Sequence, residues 1–350
     1  MKEKIVDSTI KKCKNCGGNL MFSPHFQCLY CENCNSQFEI EKDTNIEKHE
    51  YSDNIKKDDN VVNSKKIYKC QNCGANIELD GLQQSRVCPY CESPYVVENK
   101  ELVGLKPDMV VPFAFDKEKA SENFVKNIKH KWFLPNKFKK APPIDRIYGI
   151  YFPAFGFDED TVSTYDGRLE HDHTTTINGH ATTTTTYQHI KGTIALNHEN
   201  IFVETSNHLT QNQFEGIKPF NTENFYKYND DFIRGYSVEY YVDELNVCKD
   251  RAEVLIDNNI RANILRKYSY DRVSYLNVST TRSNLKYDYA ILPTYKFTYH
   301  YGKKDYTTFM NGQTGRVDNN LPKSKVKITF TVLTIILIIA CIIGLSIFLG

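Results

Sequence analysis

Cys13-Lys14-Asn15-Cys16 and Cys31-Glu32-Asn33-Cys34, read together with Cys70-Gln71-Asn72-Cys73 and Cys88-Pro89-Tyr90-Cys91, decide what kind of chain this is. Fourteen residues separate the two Cys-x-x-Cys turns in each set, and the second set follows the first by 57 positions at every cysteine. The flanks repeat as well: Lys12 to Gly17 is echoed by Lys69 to Gly74. A tetrahedral metal takes four thiolates, and a Cys-x-x-Cys turn offers two of them from one tight loop. The spacing therefore predicts two small zinc-ribbon modules, with Cys13, Cys16, Cys31 and Cys34 around one ion and Cys70, Cys73, Cys88 and Cys91 around another. Zn2+, two per chain, is the expected cofactor. Cys28 is a fifth candidate in the first set; register with the second set aligns it with Ser85, so it is left out of the ligands, with Cys28-x-x-Cys31 as the alternative second knuckle.

The 350 residues leave room for further domains, and the 13% aromatic content, with 23 Tyr and 20 Phe, favours β-structure. Met1 to Ile10 is charged and lacks the apolar run of a secretory signal, so the thiols are expected in a reducing compartment, as metal ligands and not disulfides. From Ile328 to Gly350 there are 23 residues without a charge. As a helix they would span about 35 Å, enough for a hydrocarbon core of about 30 Å. Lys323, Lys325 and Lys327 precede the run with no acid among them. Positive flanks stay on the cytoplasmic side. The expectation is a single-pass protein of the cell membrane, anchored at its C-terminal end, with the N-terminal part cytoplasmic.

The expected fold class is α+β, divided as follows: zinc ribbon 1 over residues 1–40, a flexible polar linker over 41–66, zinc ribbon 2 over 67–100, a β-rich α+β body over 101–322, and a basic flank with the transmembrane helix over 323–350. Within the body, Asp116 is placed to cap a helix running through Phe133, with Ala120, Phe124, Ile128 and Trp132 on one face. Asn178-Gly179 signals a two-residue hairpin turn in which opposed positions sum to 357. A helix over Glu239 to Arg266 would bury Leu245, Cys248, Ala252, Ile256, Ile260 and Ile264.

Four thiolates could also hold a single iron, but a four-cysteine site leaves no open position for catalysis and stabilises a domain too small for its own core. Residues 1–40 and 67–100 together carry eight basic and eight acidic side chains, without the positive surplus that phosphate binding draws on. Protein contact is therefore the expected role of the ribbons, and a membrane-tethered nucleic-acid binder is the alternative. One basic stretch does occur: Lys126 to Arg146 holds seven Lys or Arg and a single acid, Asp145, with Trp132, Phe133 and Phe138 interleaved. It reads first as a solvated helix face, and otherwise as a contact for anionic lipid or an acidic partner. Of the histidines at 171, 173, 180, 189, 198 and 208, only His171 and His173 share a face of the hairpin, short of a ligand set. No phosphate-binding loop, nucleophile elbow or His-Glu-x-x-His run is present, so no small-molecule substrate is evident and no enzymatic activity is expected.

The paired cysteine sets, the strand Tyr151-Phe-Pro-Ala-Phe-Gly-Phe157, and Pro293-x-Tyr-x-Phe followed by Asn311-Gly-Gln-Thr-Gly-Arg-Val317 give the chain a likeness. It resembles a bacterial family of membrane proteins with transcription-factor-IIB-type zinc ribbons, some of which carry helicase or primosome labels. Phe155 stands where that family has tryptophan. The resemblance implies a membrane-anchored scaffold or adaptor that recruits a cytoplasmic protein, with flotillin-like (SPFH) or phage-shock-protein-A-like partners in membrane stress responses.

Overall fold

The computed structural model describes residues 5–9, 11–52, 66–69, 76–79, 83–87, 94–97, 106–177, 180–206, 209–239, 241 and 243–349. Cys70, Cys73, Cys88 and Cys91 lie outside the described residues, as do Asn178, Gly179 and His208. The chain is mixed α+β, with a large β-sheet and one apolar C-terminal helix. It forms two compact units: residues 1–157, 200–252 and 286–322 make the first, and 158–199, 253–285 and 323–350 the second.

The first unit is organised by strands that bury both faces. Met109–Val110 pairs in parallel with Ala290 and Ile291, and Ile150 and Tyr151 pair in parallel with Ser237 and Val238. Alternate residues of these strands enter two separate clusters. Val110, Phe113, Tyr151, Ile291, Tyr295 and Phe297 belong to one, while Met109, Val111, Phe152, Ala154, Ala290 and Leu292 belong to the other. A period of two with both phases apolar is what a sheet covered on each side requires.

Helix α1 (Lys117–Lys129) lies over the first cluster, capped by Asp116, whose Oδ1 accepts the Lys119 N–H at 2.8 Å, and it buries Ala120, Phe124 and Ile128. The helix stops earlier than the sequence spacing suggests. Lys131 donates its N–H to Ile128 in a tightened turn, and Leu134, directly before Pro135, turns into the core in place of Trp132. Trp132 and Phe133 are left 58% and 44% exposed. Helix α2 (Asn136–Lys140) follows, packing Phe138 against Tyr299 and Tyr301. Helix α3 (Gln211–Ile217) starts from a capping box built by Thr210 and Gln213, and its Phe214 and Ile217 join the second cluster.

Residues 41–52, expected as the start of a flexible linker, are laid along this unit instead. The Lys227 N–H donates to Asp43 O at 2.7 Å, and His49–Glu50 pairs antiparallel with Tyr287 and Lys286. Ile46 packs on the second cluster. Polar composition hides this docking, since Ile46 is its one aliphatic contact and polar and aromatic pairs such as Lys48 with Asp288 and His49 with Asp108 carry the rest. Strands Lys66–Lys69 and Asn76–Leu79 pair antiparallel, as do Gln83–Val87 and Pro94–Val97, so in sequence each Cys-x-x-Cys of the second set falls between two paired strands.

Helix α4 (Leu245–Leu265) buries Leu245, Cys248, Ala252, Ile256, Ile260 and Ile264, the face its spacing predicts. It begins six residues later than expected, because Ser237–Glu239 is recruited as a strand with Val238 wholly buried. In the second unit, residues of Ile144–Ile177 and His180–Glu204 run antiparallel. Thr174 meets Thr183, Asp172 meets Thr185 and Asp160 meets Asn197, each pair summing to the expected 357. On the other side, Ser163 bonds Thr280 at 2.8 Å and Arg168 bonds Ser274. Thr161, Ser163, Tyr165 and Leu169 alternate inward along this strand.

Helix α5 (Lys325–Leu349) opens with Lys325 and Lys327 and carries no charge after them, and its stretch Lys325–Leu345 is apolar and long enough to cross a bilayer and is 0% buried. Its Thr331 and Thr334 hydroxyls donate to the carbonyls of Lys327 and Phe330, both at 2.8 Å. Both hydroxyls are thereby satisfied inside the helix.

Candidate metal centre

Strands Met21–Ser23, Cys28–Tyr30 and Gln37–Phe38 form a three-stranded antiparallel ribbon; one Cys-x-x-Cys turn precedes it and the other joins its last two strands. The turns are built alike. In the first, the Cys13 N–H donates to Gly18 O at 2.7 Å and the Gly17 N–H returns to Cys13 O at 2.9 Å. In the second, Cys31 donates to Ser36 O at 3.0 Å and Asn35 returns to Cys31 O at 2.8 Å. Each turn closes through a left-handed residue four positions after its leading cysteine: Gly17 at φ 75° and Asn35 at φ 59°. Glycine adopts that conformation freely, and asparagine is among the side chains that tolerate it best.

The consequence is a sulfur quartet. The Sγ atoms of Cys13, Cys16, Cys31 and Cys34 all lie within 4.8 Å of one another. The short edges cross between the turns, Cys13 to Cys34 at 3.6 Å and Cys16 to Cys31 at 3.5 Å. A tetrahedron with metal–sulfur bonds of about 2.3 Å has edges of about 3.8 Å, whereas a disulfide closes to about 2.05 Å. The quartet fits a four-coordinate thiolate-loving metal, and all four thiols are free. Cys28 is outside the group; it is buried, with its thiol directed at Gln37 Oε1 4.0 Å away, and burial pushes that thiol up.

Polar groups around the sulfurs favour the thiolate form. Burial opposes ionisation of Cys13, but the N–H groups of Asn15 and Cys16 outweigh it and hold the thiol below its ordinary value. Asn33 and the Gly18 N–H, 3.4 Å from Cys16 Sγ, do the same for Cys16. The Ser36 hydroxyl, 3.1 Å from Cys34 Sγ, lowers Cys34 together with the Ser36 N–H. Cys31 shifts the other way: the Cys34 N–H favours its thiolate, but burial and its bond with Cys16 push it up to about 11. A metal displaces the thiol protons, which is how thiolate sites couple metal uptake to proton release. Ser36 also accepts from Asn15 Nδ2 at 2.7 Å, so one turn is tied to the other beside the sulfurs. Sequence spacing points to the four cysteines and misses Asn15, Asn33, Asn35 and Ser36; the repeated Cys-x-Asn-Cys wording was the available signal.

The centre is not a loose bead on the chain. Cys13, Leu20, Phe22, Leu29, Cys31 and Ile40 belong to the same apolar cluster as Phe232 and Tyr236. Phe22 meets the Phe232 ring edge-on at 5.6 Å, and its N–H donates to Arg234 O at 3.0 Å. Gln27 donates to Phe113 O at 2.8 Å, and Lys11 pairs with Asp231 at 2.6 Å. Burying a side chain such as Phe22 is worth about 1.5–3 kcal/mol, so ribbon and body stabilise one another. With all four positions of a tetrahedron filled by sulfur, such a centre holds structure and leaves no site for substrate.

Elsewhere, His171 bonds Gln188, and His198 is buried against the Thr161 hydroxyl at 3.0 Å; among the described residues the cysteine quartet is the group suited to a metal.

Comparison with known proteins places the chain beside one Bacillus subtilis (strain 168) relative, the uncharacterized protein YdjG, which is 26% identical over 318 residues and matched over 91% of each chain. No protein-family model matches the chain. No solved structure matches it.

Proposed function

We propose that this chain is a non-enzymatic scaffold of the cell membrane, in which zinc-stabilised ribbons and the α+β body recruit a cytoplasmic protein to the bilayer. The observation that carries the proposal is the pairing, in one chain, of a closed sulfur quartet packed into the body with an unburied, largely apolar helical stretch of 21 residues. A centre without an open coordination position supports a binding surface and not a reaction. The basic flank Lys323, Lys325 and Lys327 supports an orientation with the body on the cytoplasmic side. The repeat of the cysteine pattern at Cys70, Cys73, Cys88 and Cys91 supports a second zinc ion. The likeness to the zinc-ribbon membrane family supports a partner of the flotillin-like or phage-shock-A-like kind and a role in membrane stress.

Removal of residues 328–350 tests the proposal. The truncated chain is expected in the soluble fraction of its own cells with two zinc ions bound, colourless and free of disulfides. Retention in the membrane, a visible iron–thiolate absorption, or protease access to the body from outside intact cells would each overturn a part of it.

A further inference from the structure

We propose that the basic, aromatic surface around Trp132 is a second membrane contact, seating the body on an anionic bilayer surface beside its own anchor. This rests on the anchored reading above. Helix α1 ends at Lys129, and the turn after it presents Trp132 and Phe133 to solvent at 58% and 44% exposure. Burial would stabilise each such side chain, and the fold leaves both largely uncovered. Lys126, Lys129, Lys137 and Lys140, which flank the two rings in sequence, are exposed, and within 126–146 the sole acid is Asp145. Lysines near helix C-terminal ends are explained by the helix dipole alone. Two adjacent exposed aromatics between them are not. Aromatic rings at headgroup depth ringed by cations are the composition of a membrane-surface site, each cation contributing through the negative potential of anionic lipid.

The fold also fixes where this surface lies along the chain. Lys131, next to Trp132, donates to Asp318 O at 3.3 Å and to Asn319 Oδ1 at 3.1 Å. Asn127 donates to Gly315 O at 3.1 Å. Lys325, the first residue of the apolar helix, follows Asn319 by six positions. Six residues span at most about 22 Å, so the patch is tethered within that reach of the point where the chain enters the helix. An acidic protein would satisfy the lysines equally; the tether favours lipid.

Trp132 is the chain's single tryptophan, so its fluorescence reports this surface alone. The full-length chain is reconstituted in nanodiscs of phosphatidylcholine alone or mixed equally with phosphatidylglycerol, with and without chain-brominated lipid. Expected in the anionic discs are a blue-shifted emission, quenching by the brominated lipid and protection from acrylamide, all weakened by salt. The zwitterionic discs should show little of this. Changing Lys126, Lys129, Lys137 and Lys140 together to Gln should abolish the difference, since each cation is worth about a five-fold change in surface attraction. Emission that stays water-exposed in both discs, while the chain co-elutes with them, overturns the lipid contact and leaves the anchor standing. A chain that fails to co-elute with either disc overturns both. The comparison between lipids uses the unaltered chain, so it decides the matter even where the four-lysine variant folds poorly.

Discussion

Lys48 places its ammonium 3.3 Å from Oδ2 of Asp288, a carboxylate with no exposed surface, and donates at 2.9 Å to Asn200 Oδ1. The same carboxylate is pressed by the backbone at Gly156, where an added Cβ would sit 2.5 Å from Asp288 Oδ1. A charge so enclosed is stable only beside its counter-ion, and that counter-ion comes from the segment following the first ribbon. The pair fastens residues 41–52 to the sheet.

Lys48→Met is accordingly expected to destabilise the chain by about 3–5 kcal/mol, because it strands a buried carboxylate. Lys48→Met combined with Asp288→Asn should recover much of that loss. Urea unfolding of the two variants and the unaltered chain checks the prediction; equal midpoints for all three would refute it.

The cysteines separate by role. Cys16→Ser is expected to lower the bound zinc by one ion per chain, because it removes one corner of the quartet. Cys28→Ser should leave the metal content unchanged and cost only packing, since its thiol faces Gln37. Elemental analysis of the purified variants distinguishes the two.

Gly17 and Gly18 are adjacent and are needed for different reasons. Gly17 has open space around it, so Gly17→Ala meets only the left-handed backbone and should cost about 1–2 kcal/mol with metal affinity little changed. At Gly18 a Cβ would stand 3.1 Å from Cys31 Sγ and 3.3 Å from Cys16 Sγ, so Gly18→Ala should speed zinc loss to a chelator. Asn35→Gly, at the matching position of the second turn, should be nearly neutral in both measurements.

Glu204 supplies a pH dependence. Burial pushes its carboxyl up to about 8; the Ser206 N–H, which it accepts, opposes this, while Glu239 and Asp243 add to it. Unfolded, it titrates near 4.5. The folded chain holds the extra proton between those values, so its contribution to stability is complete below the lower one and falls as pH rises through the higher one. Denaturation midpoints should therefore decline from about pH 5 to about pH 9, and Glu204→Gln, which keeps the neutral form, should flatten the decline. Parallel slopes for the two proteins would contradict this assignment.

The first sulfur quartet was legible because ligand spacing is local: Cys13 to Cys34 is a short run, and thiolate geometry constrains it closely. The buried face of α4 was equally legible, from Leu245 to Ile264, since helical period alone selects it. The hairpin register followed from a two-residue turn, and Thr174 opposite Thr183 obeys it. The early end of α1 was not legible. A spacing of four continues through Trp132, but Leu134 competes for the same core and wins because Pro135 forbids a further helical turn. Nor was the docking of 41–52, whose polar residues look like those of a solvated linker until Asp288, 240 positions after Lys48, is folded beneath them.

By itself, then, the sequence determined the cysteine group of the candidate centre, the apolar C-terminal segment and the faces of the regular elements, since each depends on neighbours a few residues apart. Only the tertiary structure decided that the ribbon shares a core with Phe232 and Tyr236, that Lys48 answers Asp288, and that Trp132 points outward. Those outcomes turn on which distant groups win a limited buried volume, and no local pattern encodes that competition.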